Sequence, residues 1–298
     1  MKFLDPRVDT AFKKLFGSED HKRVTIAFIN TILEYTGDKR IVEIQFMNNE
    51  QLPMGQDKKE NILDVFCTDQ AGRQYIIEMQ NAWEPGFVKR IQWYGAKTYA
   101  NQLRSAKPYH DLDPVVVIAI IRSFNVFPKK EKCKSIYGLT DLATGEHDLK
   151  DLIFGFVELL KFKKQEHELV TDEDKWLFLL KNIGDYDHIP ATLEQAEFGE
   201  ACQTLNRMTW SDHAYALYEK TMIKAQSEAE TGRLLLQAKE NMKKAEEEGR
   251  QEGLKEGLKE GRDAERIEVA KKMLANGLDV EAIAIFTGLS IDQIKTLK

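Results

Sequence analysis

The chain has 298 residues, 42% of them hydrophobic, with a formal net charge of −6; that is enough to bury a sizeable core with extra elements attached. The acidic balance excludes a wholly basic nucleic-acid-coating protein but not a local basic groove, and basic pairs do occur at Lys13-Lys14, Lys58-Lys59, Lys89-Arg90 and Arg104 with Lys107. Cys67, Cys133 and Cys202 lack CxxC spacing, which argues against a disulfide framework or zinc ribbon, and without a signal-peptide core or an apolar run of bilayer length the expectation is a soluble, cytoplasmic protein.

Residues 9–16 and 22–35 carry apolar positions at helical spacing, with Gly17 and Gly37 as stops. Residues 41–47 (IVEIQFM) read as a strand, followed by a polar stretch to Glu60. Residues 62–68 (ILDVFCT) and 74–80 (QYIIEMQ), separated by the loop 69–73, read as a β-hairpin. The segment 87–103 places Phe87, Ile91, Tyr94 and Thr98 on one helix face. VVVIAII (115–121) reads as a strand buried on both sides, and 152–162 as another apolar strand. This order predicts an α/β (α+β) fold in which helices flank a mixed sheet.

Beyond it, residues 172–224 look helical, starting from Thr171 and the acidic turn Asp172-Glu173-Asp174. Composition then shifts to Glu, Lys, Arg, Gln and Ala, with glycines at 249, 253, 257 and 261. Each glycine costs a helix about 1 kcal/mol against alanine, so this stretch is expected to be a flexible spacer or loose coiled coil. The last segment carries helical patterns set off by Gly277, a capping Asp279 and a Ser290/Gln293 capping box. That layout resembles a helix-turn-helix and equally a small bundle or dimerisation knot; its final helix offers only Lys295 and Lys298 to phosphate. The expected organisation is a core over 1–165, a helical extension over 166–226, a charged linker over 227–265 and a helical tail over 266–298.

The hairpin carries the chemistry. Its loop is symmetric about Ala71, and Gly72 sits where such a loop needs a left-handed residue. Counting outward from Asp69 and Arg73 pairs Phe66 with Ile76, Asp64 with Glu78, and Ile62 with Gln80. Facing carboxylates about 5 Å apart repel unless neutralised, and a divalent cation neutralises them. Glu78 and Gln80 share a strand face, so three acceptors converge among apolar neighbours. A slip of one residue dissolves this arrangement, and the bland alternative is two wet carboxylates on a solvated hairpin face.

Asp64, then Glu78-Met79-Gln80 preceded by an apolar strand, resembles the Asp…(Asp/Glu)-x-Lys signature of the PD-(D/E)xK nuclease superfamily, here with Gln80 in place of Lys. More closely, the chain resembles the bacterial Rpn family of recombination-promoting nucleases and transposases. Asp5-Pro6, Asp9-x-x-Phe12-Lys13-x-x-Phe16, Asn61-Ile-Leu-Asp64-Val, Ile77-Glu78-Met79-Gln80, Arg90…Tyr94 and Phe156-x-Glu158-Leu159…Lys161-Phe162 carry the likeness over residues 1 to about 225. The resemblance implies a restriction-endonuclease-like core with an all-α C-terminal extension. It also implies that Asp64 and Glu78 bind Mg²⁺ (or Mn²⁺) beside the carbonyl of Met79, with Asp9 completing the site.

On that reading the chain is a DNA endonuclease in recombination, mobile-element or defence settings. Gln80 would orient water, since its amide is neither cation nor base, and Lys13 or Arg90 would contact phosphate. Trp93 and Tyr94 are candidates for stacking on a base, and equally for the core. DNA is the expected partner, with a homo-oligomer through the tail and no membrane. The competing reading is a catalytically decayed nuclease fold that binds DNA or assembles; strand transfer rests on the family's name alone. No HExxH, P-loop or GxSxG motif is present.

Overall fold

Two short amphipathic helices open the structure, α1 (Asp9–Phe16) and α2 (Lys22–Ile32). Phe12, Leu15 and Phe16 of the first and Val24, Phe28 and Ile29 of the second recur every three or four residues, and all are buried. The computed structural model describes residues 2–51, 61–105 and 108–297; Lys58, Lys59, Lys107, Lys298 and the end of the polar stretch lie outside the described residues.

Strands β1 (Ile44–Phe46), β2 (Glu50–Gln51), β3 (Asn61–Ile62), β4 (Val65–Asp69) and β5 (Gln74–Gln80) follow, then α3 (Phe87–Asn101). β6 (Val115–Ile121), β7 (Lys134–Leu139) and β8 (Leu149–Glu158) complete the strands. Six of them form one mixed sheet in the order β1-β4-β5-β6-β8-β7, with β2 and β3 paired separately. The β1-β4-β5 meander is antiparallel, β5-β6 and β6-β8 are parallel, and β7 closes the edge antiparallel. Every residue of β6 is buried, as an all-apolar strand between two parallel neighbours and two helical layers must be.

Successive residues of β5 serve different layers. Tyr75, Ile77 and Met79 join a core with Phe12, Phe16, Phe28, Trp176 and Phe198, whereas Gln80 meets Arg90 of α3. α3 lies tight on the sheet: a Cβ on Gly95 would sit 2.9 Å from the Phe154 ring. The one-face stripe expected of α3 is present, with Phe87, Ile91, Tyr94 and Thr98 all buried.

Several elements differ from the sequence expectation. β7 was not anticipated, because its residues are half-buried or exposed and lack strong alternation. The strand expected over 152–162 begins earlier and stops at Glu158, where Leu159–Lys161 turn as a 3₁₀ helix. The helical region divides into α4 (Asp172–Asn182), α5 (Ala196–Leu205) and α6 (Asp212–Ala275). Thr171 caps α4 in a reciprocal box with Asp174.

The largest departure from a flexible spacer is α6, a helix that the coiled-coil alternative allows. Through all four spaced glycines it runs as one helix of 64 residues. The residues between the glycines are strong helix formers, and pairs such as Lys272–Glu268 at 2.8 Å and Lys244–Glu248 at 3.8 Å lie one turn apart.

The chain divides into two units, residues 1–235 and 236–298, and α6 belongs to both. In the second unit the end of α6 packs with α7 (Val280–Thr287) and α8 (Ile291–Lys295) around Ala270, Ile283 and Ile294. Gly277 and Gly288 take left-handed conformations between these helices. Ser290 and Gln293 form the expected capping box. Asp279 stands at the N-cap position of α7, but its side chain makes no capping hydrogen bond, contrary to expectation. Among the described residues no helix is long and apolar enough to cross a membrane.

Candidate active site

The hairpin loop fixes the site's register. Gly72 has φ +84°, and a Cβ there would stand 2.5 Å from Asp113 Oδ1. Buried Asp69 ties the loop together: Oδ1 accepts from the amides of Ala71 (2.8 Å) and Arg73 (3.0 Å), and Oδ2 from the Tyr75 hydroxyl (2.9 Å). The ladder then pairs Phe66 with Ile76, as counting outward predicts, and Val65 with Ile77.

There the simple hairpin ends. The chain bends at Asp64, and Ile62 pairs with Glu50 instead of facing Gln80. The expected Ile62–Gln80 pair is therefore absent: β3 leaves the main sheet to pair with β2, and Ile62 is exposed. Asp64 and Glu78 meet all the same, by a different route. The Asp64 amide donates to Glu78 Oε1 at 3.2 Å, and the Met79 amide donates to Asp64 Oδ2 at 2.9 Å. Each carboxylate is held by a backbone N–H next to or belonging to the other.

Burial dominates the electrostatics. Desolvation pushes the Asp64 carboxyl up to about 6, against the Met79 N–H and the Lys13 charge, with Asp9 adding to the rise. Glu78 is raised well above the ordinary carboxylate range, first by burial and then by the charge of Asp64. Lys13 Nζ lies 2.7 Å from Asp9 Oδ1 and 3.6 Å from Asp64 Oδ1. Its burial opposes the ammonium, but the Asp9 hydrogen bond and the Asp64 charge outweigh that cost and its pKa rises. α1 thus delivers Asp9 and Lys13 to the hairpin carboxylates.

Gln80 and Arg90 form a second cluster on the α3 side. Gln80 Nε2 donates to the Ala82 carbonyl (2.5 Å) and to Glu84 Oε1 (3.4 Å), while its Oε1 accepts from Arg90. Arg90 also pairs with Glu84. Both ends of the Gln80 amide are engaged in holding these neighbours. Of the two aromatics, Tyr94 is buried, whereas Trp93 is 42% exposed with Lys97 Nζ 4.7 Å over its ring.

Sequence reading missed one wall of the site. A cavity of about 170 Å³ is lined by Asp9, Asp64, Met79 and Asn81 together with Thr221, Lys224, Ala225 and Glu228 of α6. Thr10 and Thr221, separated by 211 positions in sequence, meet hydroxyl to hydroxyl at 2.8 Å. The available signal was Gly232, whose Cβ would stand 2.7 Å from the Trp83 amide nitrogen and 2.9 Å from Ala82 Cβ. A glycine within a run of good helix formers marks such a close approach. A larger cavity of about 460 Å³ lies between α2, α4 and α5; it contains none of the paired carboxylates.

Asp9, Asp64 and Glu78 offer hard oxygen donors whose combined charge Lys13 balances only in part. That donor set suits a hard divalent cation completed by water. Among the described residues no group of three or more His, Cys, Asp or Glu side chains is placed to hold a metal ion, so the donors that meet here are the pair Asp64 and Glu78. Residues 6–250 match the family model described as PD-(D/E)XK nuclease family transposase, and residues 264–298 match that described as Rpn/YhgA-like nuclease family, C-terminal HTH domain. No curated protein and no solved structure matches the chain.

Proposed function

We propose, from the premise that the chain belongs to the PD-(D/E)XK nuclease family transposases, that it is a metal-dependent DNA endonuclease whose reaction centre is built on Asp64 and Glu78. The observation that carries this reading is the reciprocal backbone hold on two mutually repelling carboxylates, Glu78 buried and Asp64 half-buried. Fixing two such groups side by side is costly unless a cation uses them. Asp64 and Glu78 would hold Mg²⁺, or Mn²⁺ in its place, with Asp9 close by. When bound, the ion supplies charge neutralisation at the scissile phosphate and an acidified water.

The protein's own residues do the rest. The Met79 N–H aims Asp64 and the Asp64 N–H aims Glu78, so neither carboxylate has to reorganise when substrate arrives. Lys13 offsets the charge of Asp9 and Asp64 and favours the ionised form of Asp64 and Glu78 against the burial that opposes it. Gln80 clamps Arg90 against Glu84, which keeps a guanidinium charge acting on Glu78. Its proposed role is positioning. The proposed setting is DNA recombination or mobile-element activity in the bacterial cytoplasm, with the C-terminal HTH domain as a second DNA contact. Ile285 and Phe286, both largely exposed on α7, support self-association of the tail.

One observation favours the competing reading of a decayed nuclease that binds DNA without cutting it: the residue in the motif's lysine position is an amide with both ends occupied. Plasmid cleavage decides. Purified protein in Mg²⁺ or Mn²⁺ is expected to nick or linearise plasmid DNA, and Asp64→Ala and Glu78→Ala each to abolish this. A wild-type chain that binds DNA but never cuts it with any divalent metal would establish the decayed form.

A further inference from the structure

A phosphate is bound most readily by a cation free to exchange partners, and the cations first expected to serve are already engaged. Lys13 is clamped by Asp9 at 2.7 Å with Asp64 at 3.6 Å, and Arg90 is held by Glu84 and Gln80. We propose that Lys224 of α6 is the residue that binds the substrate's phosphate in the cleft, so that the reaction centre is completed by α6 and not by the hairpin and α1 alone.

The placement of α6 carries this inference. Its face toward the nuclease body is a helical stripe. The Tyr218 hydroxyl accepts from the Asp5 amide at 3.0 Å, Thr221 meets Thr10, Ala225 is buried, and Gly232 closes on Ala82 and Trp83. Steps of three, four and seven residues keep these positions on one side of the helix. With that face seated, the rotation of α6 is fixed, and Lys224 and Glu228 line the same cavity as Asp9, Asp64 and Met79.

Lys224 is also poised to exchange partners. It is 75% exposed and lies 3.7 Å from Glu228 one turn away. Such an exposed pair contributes little, so a phosphate oxygen displaces the carboxylate readily. A lysine serves here as a flexible point charge. Asp9, Asp64 and Glu228 otherwise repel a phosphate from this cleft, and Lys224 offsets that repulsion where the strand must enter.

This inference rests on the proposed nuclease site, and the test separates the two. The full chain is titrated with fluorescein-labelled duplex DNA in Ca²⁺ over a range of salt, and cleavage is followed separately in Mg²⁺. Lys224→Met is expected to weaken binding about tenfold at low salt and to reduce the salt slope by about one. The loss in cleavage should appear in KM more than in kcat, and Lys224→Arg should restore most of both. Mn²⁺ affinity should be unchanged, because Lys224 does not hold the metal. Wild-type affinity and slope in Lys224→Met, or a loss that Lys224→Arg does not restore, overturns the inference. Cleavage that survives Asp64→Ala overturns the proposed site instead, and the Lys224 binding result can still be read.

Discussion

The backbone amide of Asp64 donates to the carboxylate of Glu78 at 3.2 Å, while the amide of Met79, next to Glu78, donates to Asp64 at 2.9 Å. Two groups that repel as charges are thus held together by main chain, and burial pushes both toward their neutral forms.

Stability should report the cost of burying these carboxylates through pH. Asp64 has a folded pKa of about 6 against an ordinary 3.8, so between those values the folded state binds more protons than the unfolded one. The stabilising contribution is therefore full below about pH 4 and is lost as pH rises through about 6. Asp64→Asn should stabilise the metal-free protein at pH 7.5 by on the order of 2 kcal/mol and flatten the profile, and Glu78→Gln should act in the same direction. Adding Mg²⁺ should raise Tm only in the wild type. Thermal melts from pH 4 to 8 check the sign, and a variant less stable than wild type at pH 7.5 would contradict it.

Asp69→Ala should be among the most damaging changes outside the reaction centre. It removes the acceptor for two loop amides and the Tyr75 hydroxyl at once and should cost about 2–4 kcal/mol in urea unfolding. Cleavage should fall as well, because the loop sets the register that brings Asp64 to Glu78.

The Glu158–Lys161 pair accounts structurally for a motif that the chemistry does not use. Glu158 is fully buried, accepts from the amides of Val126 and Phe127, and lies 2.6 Å from Lys161 Nζ. Lys161→Met leaves that carboxylate uncompensated and should cost about 3–5 kcal/mol. Adding Glu158→Gln should recover part of the loss, since an amide oxygen still accepts from both N–H groups. Denaturant midpoints of the single and double variants test this.

Two glycines of α6 should respond in opposite directions. Gly232→Val forces a side chain against the Trp83 backbone and should lift α6 from the cleft, lowering cleavage at least about tenfold with a smaller loss of stability. Gly253 faces open space, so Gly253→Ala should strengthen the helix by about 1 kcal/mol and leave cleavage unchanged. Amide exchange along α6 and plasmid assays separate the two.

Much of this was legible in the sequence where the signal was local. The symmetric loop and Gly72 gave the Phe66–Ile76 register, and the apolar run of β6 gave a central strand. The bend at Asp64 was not legible, because it follows from β3 pairing with β2, a tertiary preference that no residue between Ile62 and Asp64 announces. The continuity of α6 was masked by the helix penalty of its glycines. Lys224 and Glu228 reach the site through contacts between residues distant in sequence, such as Thr10 with Thr221, which no periodicity encodes. Gln80 follows Glu78 by two positions on β5, yet its engagement with Arg90 and Ala82 depends on a helix and loop that the motif does not contain.

The most direct test of the central claim is a crystal soaked in Mn²⁺, with data collected at the manganese absorption edge. The account predicts an anomalous peak coordinated by carboxylate oxygens of Asp64 and Glu78, lost in Glu78→Ala. A fully occupied peak elsewhere, with these two carboxylates bare, would contradict it.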